Sequence, residues 1–248
     1  MARTRPGRAT RVVGTVLLLF DIDGTLLIRA HVEHRLALAE AVREVWGADD
    51  PGAPAIVAAG RTDFEIAREI CLLGNVSAAR FDDGRGAFRV ACARAYDRLA
   101  PADLRDRHAP HVAAVLPDLA QRPGVRLSLV TGNLEAVARM KLDRAGLGRY
   151  FPAGQGGFGS DAEDRSELPA IARRRAGDGE RPYPKARTVV VGDTPNDIAC
   201  ARADGVRCVA VTTGPYDAGE LRRADAVIAG LDELAPMIVT RPSASRSA

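Results

Sequence analysis

Lysine is nearly absent from this chain of 248 residues. Of 35 basic side chains all but Lys141 and Lys185 are arginines, and against 32 acidic ones they leave a formal charge of only +3. So small a balance gives no electrostatic case for nucleic acid as a partner. Long apolar runs are lacking too. The stretch that follows the arginine-rich start (Arg3, Arg5, Arg8, Arg11) is cut short by Asp21, so those first residues read as a solvated basic tail and no membrane partner is expected. Cysteine is sparse. Cys71, Cys92, Cys200 and Cys208 form no C-x-x-C pair and no metal-ligand spacing, which fits reduced core thiols in a cytoplasmic protein. Internal repeats and low-complexity blocks are missing as well, while 46% hydrophobic residues suffice for a true core.

What the chain does have is Leu17-Leu18-Leu19-Phe20-Asp21-Ile22-Asp23-Gly24-Thr25-Leu26. The apolar run Val16 to Phe20 reads as a buried strand of a parallel sheet, and ligands of such sheets sit beyond the carboxyl ends of the strands. Residues i and i+2 leave a strand on the same side, so Asp21 and Asp23 can reach one bound group, while Gly24 lets the chain bend away. Two carboxylates this close are costly to bury without a cation. A metal is implied.

Further strands end in polar turns: Val125 to Val130 before Thr131-Gly132-Asn133, Thr188 to Val191 before Gly192-Asp193-Thr194-Pro195-Asn196-Asp197, and Val206 to Val211 before Thr212-Thr213-Gly214. Helical patterns lie between them, Leu134 to Ala145 and Asp197 to Ala203, and Ala226 to Ala229 reads as a last short strand. This alternation predicts an α/β fold with a Rossmann-like, doubly wound parallel sheet. Residues 29–110 read differently, with helices expected over His31 to Trp46, Asp63 to Leu73 and Gly86 to Leu99. Thr62 and Glu65 form a capping-box pattern, and Gly74 stands ready to end that helix. The organisation expected is a core of residues 12–28 and 111–240, an inserted helical domain of residues 29–110, and disordered tails at 1–11 and 241–248.

The set D-I-D-G-T-L, a strand ending T-G-N and a strand ending G-D-T-P-N-D resembles the haloacid dehalogenase superfamily, from Val13 to about Ile238, most of all its capped phosphoglycolate phosphatase-like branch. The resemblance implies a Mg²⁺-dependent phosphatase acting on a small phosphorylated metabolite through an aspartyl-phosphate. Asp21 would be the nucleophile and Asp23 the general acid and base. Asp21, Asp193 and the backbone carbonyl of Asp23 would bind the cation, an all-oxygen set that suits Mg²⁺. Asp197 is read either as a holder of metal-bound water or as a helix cap. Thr131 and Gly132 would donate to a phosphoryl oxygen, with an N-cap as the plain alternative for Thr131, and Asn133 completes that substrate-binding loop.

The superfamily pairs its nucleophile with a basic residue, usually lysine, and here this sequence departs from the pattern. Lys185 lies too close to the start of its strand, and Lys141 sits well inside a helix. Arg165, opening a helix after the glycine-rich Gly154 to Gly159, is expected to replace the lysine and grip phosphate, unless it is a helix-surface ion pair. The helical domain resembles a cap, from which Arg61 would hold a substrate carboxylate or second phosphate. His31, His34, His108 and His111 lack a metal-like partner set and read as surface or packing residues. Asp23 argues against dehalogenation and phosphonate chemistry. A sugar-phosphate mutase or a non-catalytic phosphate-binding pseudo-phosphatase stays as the alternative, and oligomeric state is not written in the pattern.

Overall fold

A computed structural model describes residues 15–52 and 55–238; both expected tails lie outside these. Strand β1 (Val16–Phe20) is buried on both faces. Val16, Leu18 and Phe20 enter one core layer, Leu17 and Leu19 the other, which is why an unbroken apolar run and not an alternating one makes this strand. The chain continues through α1 (His31–Trp46), α2 (Asp63–Leu73), α3 (Ala78–Leu99), α4 (Val112–Gln121), β2 (Val125–Thr131), α5 (Glu135–Arg144) and β3 (Gly157–Phe158). It ends with α6 (Leu168–Arg175), β4 (Thr188–Gly192), α7 (Pro195–Asp204), β5 (Arg207–Val211), β6 (Ala226–Ile228) and α8 (Leu234–Met237). No helix among the described residues is long and apolar enough to cross a membrane.

Among the described residues all six strands lie in one sheet of order β3-β2-β1-β4-β5-β6, and every neighbouring pair is parallel. From β1 the chain moves outward to β2 and β3 and then crosses back to place β4 on the other side. The direction of winding therefore reverses between β1 and β4, which opens a crevice at their carboxyl ends. Asp21 follows the last residue of β1 and Asp193 the last residue of β4, so topology alone brings these two distant carboxylates together. This is the Rossmann-like α/β fold expected. Helix α4 is an addition to the helices the sequence pattern predicts, although its buried Val112, Val115, Leu116 and Leu119 carry the i, i+3, i+4, i+7 signature of an amphipathic helix.

Helices α1 to α3 form a separate layer around Trp46, Phe64, Phe81, Phe88 and Tyr96. Trp46 stacks on Phe81 with ring centroids 4.8 Å apart. Helix α3 starts at Ala78, capped by Ser77, eight residues before the expected Gly86. Its glycines read locally as breakers, but a Cβ at Gly84 would stand 2.4 Å from Trp46 Nε1; the glycine is there to admit the indole, a tertiary reason that overrides its poor helix propensity. The Thr62 and Glu65 capping box forms. Gly74 follows the helix end, yet the left-handed residue is Asn75, at φ 59°.

Two connecting segments join this layer to the sheet and pair with each other, Ile28 N–H donating to the Arg107 carbonyl at 2.8 Å and Ala109 N–H to that of Leu26 at 2.9 Å. A second contact comes from α5. Leu134 and Val137 belong to the apolar cluster of the helical layer, which presses that layer onto the T-G-N loop.

Candidate active site

Three carboxylates meet in the crevice. Asp21, Asp193 and Asp197 are buried and place one oxygen each within 4.8 Å of one another. Glycine makes the room: a Cβ at Gly24 or Gly214 would lie 2.1 or 1.7 Å from Asp193 Oδ2, and one at Gly192 would lie 2.2 Å from Asp197 Cγ. Asp193 Oδ1 accepts a hydrogen bond from Thr25 Oγ1 at 2.9 Å. The cation facing the group is Arg165, whose guanidinium stands 3.3 Å from Asp21 Oδ1 and 2.5 Å from Asp197 Oδ1. Its ionised state is secured by Asp197 and Asp21 against the cost of its own burial.

One guanidinium does not balance three acids. Burial drives the Asp21 carboxyl upward; Arg165 opposes, Asp197 and Asp23 reinforce, and the group ends up at about 7. Asp193 is raised to about 8, by burial first and then by Asp197 and Asp21. Asp197 differs in having both oxygens engaged. Oδ2 accepts from the Thr194 N–H and hydroxyl at 3.0 and 2.7 Å and forms the capping box of α7, while Oδ1 takes Arg165. The helix-cap reading of Asp197 thus describes what its side chain does in this structure.

Asp23 stands in contrasting surroundings. Its Oδ2 accepts from Lys141 Nζ at 2.5 Å and from Asn133 Nδ2 at 3.0 Å, and its Oδ1 is buried with no hydrogen-bond partner among the described residues. Burial would raise this carboxyl, but the Lys141 ammonium first, then His34 and the hydrogen bonds from Lys141 and Asn133, together outweigh it and the group lies below the ordinary carboxylate range. Lys141, expected too deep in its helix to matter, is therefore at the site. The expectation measured distance along the helix axis, whereas helical side chains lean toward the N-terminus and lysine has a four-carbon reach. Nζ returns from α5 to its opening loop, where it also donates to Asn133 Oδ1 at 2.8 Å. Lys185 stays at the surface, 3.5 Å from Asp204.

Thr131 is the buried last residue of β2, and the N-cap position of α5 falls to Leu134, so Thr131 is not the cap. Gly132 meets the helical layer directly: a Cβ there would stand 2.0 Å from the Arg61 carbonyl oxygen, and its own carbonyl accepts from the Asp63 N–H at 2.8 Å. Asn133 is turned toward Asp23 and Lys141. The Arg61 loop does lie over the crevice, but its guanidinium does not point in. It pairs with Glu69 and lies 3.8 Å from Glu65, because α2 presents these acids one and two turns on along its near face. The expected substrate clamp is, in this conformation, a helix-surface ion pair. His34, read as a surface or packing residue, is buried and joins Lys141 to Asp63.

The family model of haloacid dehalogenase-like hydrolases matches residues 18–202. Phosphoglycolate phosphatase 1 of Pseudomonas aeruginosa is 28% identical over 245 residues, which span 96% of this chain and 83% of that protein. A phosphoglycolate phosphatase of Pseudomonas fluorescens is 27% identical over 218 residues, 80% of this chain and 70% of its own. Among solved structures, beta-phosphoglucomutase from Clostridium difficile superposes with a TM-score of 0.61 at 16% identity, covering 89% of this chain and 93% of that one, a likeness of fold.

Proposed function

The chain belongs to the haloacid dehalogenase-like hydrolases and is a phosphoric monoester hydrolase; from that premise we propose that it is a Mg²⁺-dependent phosphatase of the phosphoglycolate phosphatase type. The observation that carries the reading is the pair of unlike carboxylates two residues apart: Asp21 among uncompensated acids, and Asp23 with one oxygen held and the other bare. Asp21 attacks phosphorus while the P–O ester bond breaks and Asp23 Oδ1 gives its proton to the departing alkoxide. Water then attacks the phosphorus of the Asp21 acyl phosphate, Asp23 takes the proton, and inorganic phosphate leaves with Asp21 restored. Asp23, ionised at rest, takes up a proton from solvent as the phosphoryl dianion arrives and raises its proton affinity, and after the second step it returns to solvent the proton taken from the attacking water.

The donors fit magnesium. They are all oxygens, and the crevice lacks positive charge by its own count of one guanidinium to three carboxylates. Asp21 and Asp193, with the carbonyl of Asp23, would hold the ion, and Asp197 would act by fixing Arg165 and Thr194. When bound, Mg²⁺ neutralises the phosphoryl charge and orients it for in-line attack. Thr131 and the Gly132 N–H would donate to the phosphoryl oxygens opposite Arg165. Residues 29–110 would serve as a cap that excludes water and sizes the substrate, and four free, buried cysteines agree with a cytoplasmic setting. Phosphate release from 2-phosphoglycolate, other small phosphorylated metabolites and 4-nitrophenyl phosphate tests the proposal. It requires Mg²⁺; undiminished turnover in excess chelator, or no turnover of any of these with Mg²⁺, defeats it.

A further inference from the structure

Resting on that reading, we infer that Lys141 is the positioning residue for Asp23, and that His34 and Asp63 of the helical layer fix Lys141 in turn. An ammonium has three donors and no acceptor. The Lys141 side chain is fully buried and its three donors have three acceptors: Asp23 Oδ2 at 2.5 Å, Asn133 Oδ1 at 2.8 Å and His34 Nδ1 at 3.1 Å. Because Nδ1 must accept, the imidazole proton sits on Nε2, which donates to Asp63 Oδ2 at 3.0 Å. That same oxygen accepts the Leu134 N–H at 2.7 Å, so the row ends on the backbone that opens α5. Tyr96 closes the row with its ring edge-on to His34, centroids 5.9 Å apart.

The consequence lies at Asp23. With Oδ2 gripped by Lys141 and Asn133, turning the carboxylate over would break two hydrogen bonds, one of them between opposite charges. Only Oδ1, the buried atom without a partner among the described residues, can then meet the leaving oxygen. A lysine kept purely for stability would not need to leave one carboxylate oxygen bare. The row also crosses from α5 to α1 and α2, so the aim of Asp23 depends on the helical layer being seated.

The experiment compares kcat/KM for phenyl phosphate and 4-nitrophenyl phosphate, whose leaving groups differ in their need for a proton, in K141M, H34Q and the parent. K141M should lose roughly 100-fold on phenyl phosphate and less than about tenfold on 4-nitrophenyl phosphate, with H34Q showing a smaller split in the same direction. K141R should recover part of the loss by restoring charge without the three-acceptor geometry. An equal loss on both substrates, or none, overturns the inference. The ¹⁵N spectrum of His34 in the parent protein reads the assignment without turnover and whether or not K141M folds. A neutral ring protonated on Nε2 is expected; a ring protonated on Nδ1 removes the acceptor and overturns the inference. Failure of the parent to hydrolyse either aryl phosphate strikes the phosphatase reading, while the His34 spectrum still judges the placement of Lys141.

Discussion

Asp21 and Asp23 are separated by one residue and lie in opposite electrostatic surroundings. Asp21 shares a buried crevice with two further acids and one guanidinium, and it is raised to about 7. Asp23 is matched by a buried ammonium and a side-chain amide and is lowered. The crevice around Asp21 holds three carboxylates against one guanidinium, whereas the charge of Asp23 is already matched by Lys141. Two like groups pushed apart in this way take different roles in acid, base and nucleophilic chemistry. The division follows from topology, since β4 and α7 face Asp21 while α5 and the helical layer face Asp23.

Removing each carboxylate in turn breaks this comparison most directly. Asp21→Asn deletes the proposed nucleophile at constant shape, and turnover should fall below about 10⁻⁴ of the parent. In the metal-free protein at alkaline pH the same change should raise Tm, because a repelled charge has gone and Arg165 still has Asp197. Asp23→Asn should act in reverse on stability: it leaves the Lys141 charge buried without its counterion, and breaking a buried pair from one side costs up to about 3–5 kcal/mol. Its turnover loss should be about 10²–10⁴ and heaviest on poor leaving groups. Thermal unfolding of both variants without metal checks the contrast; a drop in Tm for Asp21→Asn beside a rise for Asp23→Asn would invert it.

Arg165 offers a smaller and more selective perturbation. Arg165→Ala should lower turnover by roughly 10²–10³, as when one preorganised donor is removed from a transition state, and Arg165→Lys should recover part of it. Lys185→Ala, 3.5 Å from Asp204 at the surface, should be mild. Asp197 loses its partner in Arg165→Ala, so the crevice becomes still more acidic and the requirement for Mg²⁺ should rise. A variant of Arg165→Ala with parent turnover and unchanged Mg²⁺ dependence would make Lys141 the sole basic residue that matters.

The same contrast explains what was legible in the sequence. The Asp21 side could be read because its parts are local: an apolar run buried on both faces fixes β1 at Val16–Phe20, and Asp193 marks the end of β4 in the same manner. The Asp23 side could not, because its partners are tertiary. His34 and Lys141 are 107 positions apart and His34 and Asp63 are 29 apart, and nothing near any of the three in sequence announces the others. Sequence spacing carries no side-chain direction, which is what brings Lys141 to the site, and it does not show the acids that α2 turns toward Arg61. The start of α3 was hidden by Gly84, whose place in a helix makes sense only once Trp46 lies against it. Strand-end chemistry is written locally, and the residues that aim it are not.

The mildest effect expected is on stability against pH, and its sign follows from the two environments. Asp21 and Asp193 have pKa values raised from 3.8 to about 7 and about 8, so their contribution is fully present below the unfolded value and is lost as pH rises through the folded ones. Asp23 is lowered from 3.8, so its contribution is present above that value and is lost only on acidification below it. Between pH 5.5 and 8.5 the first two govern, and the metal-free protein should lose Tm as pH rises across this interval. If Mg²⁺ binds the ionised carboxylates as proposed, the Tm it restores should be larger at pH 8.5 than at pH 5.5. Asp193→Asn should flatten the metal-free profile and weaken the magnesium effect together, because one carboxylate is responsible for both. Thermal unfolding at constant ionic strength measures this; a magnesium shift equal at the two pH values would show that the crevice acids are already compensated and that the contrast between Asp21 and Asp23 is not one of charge.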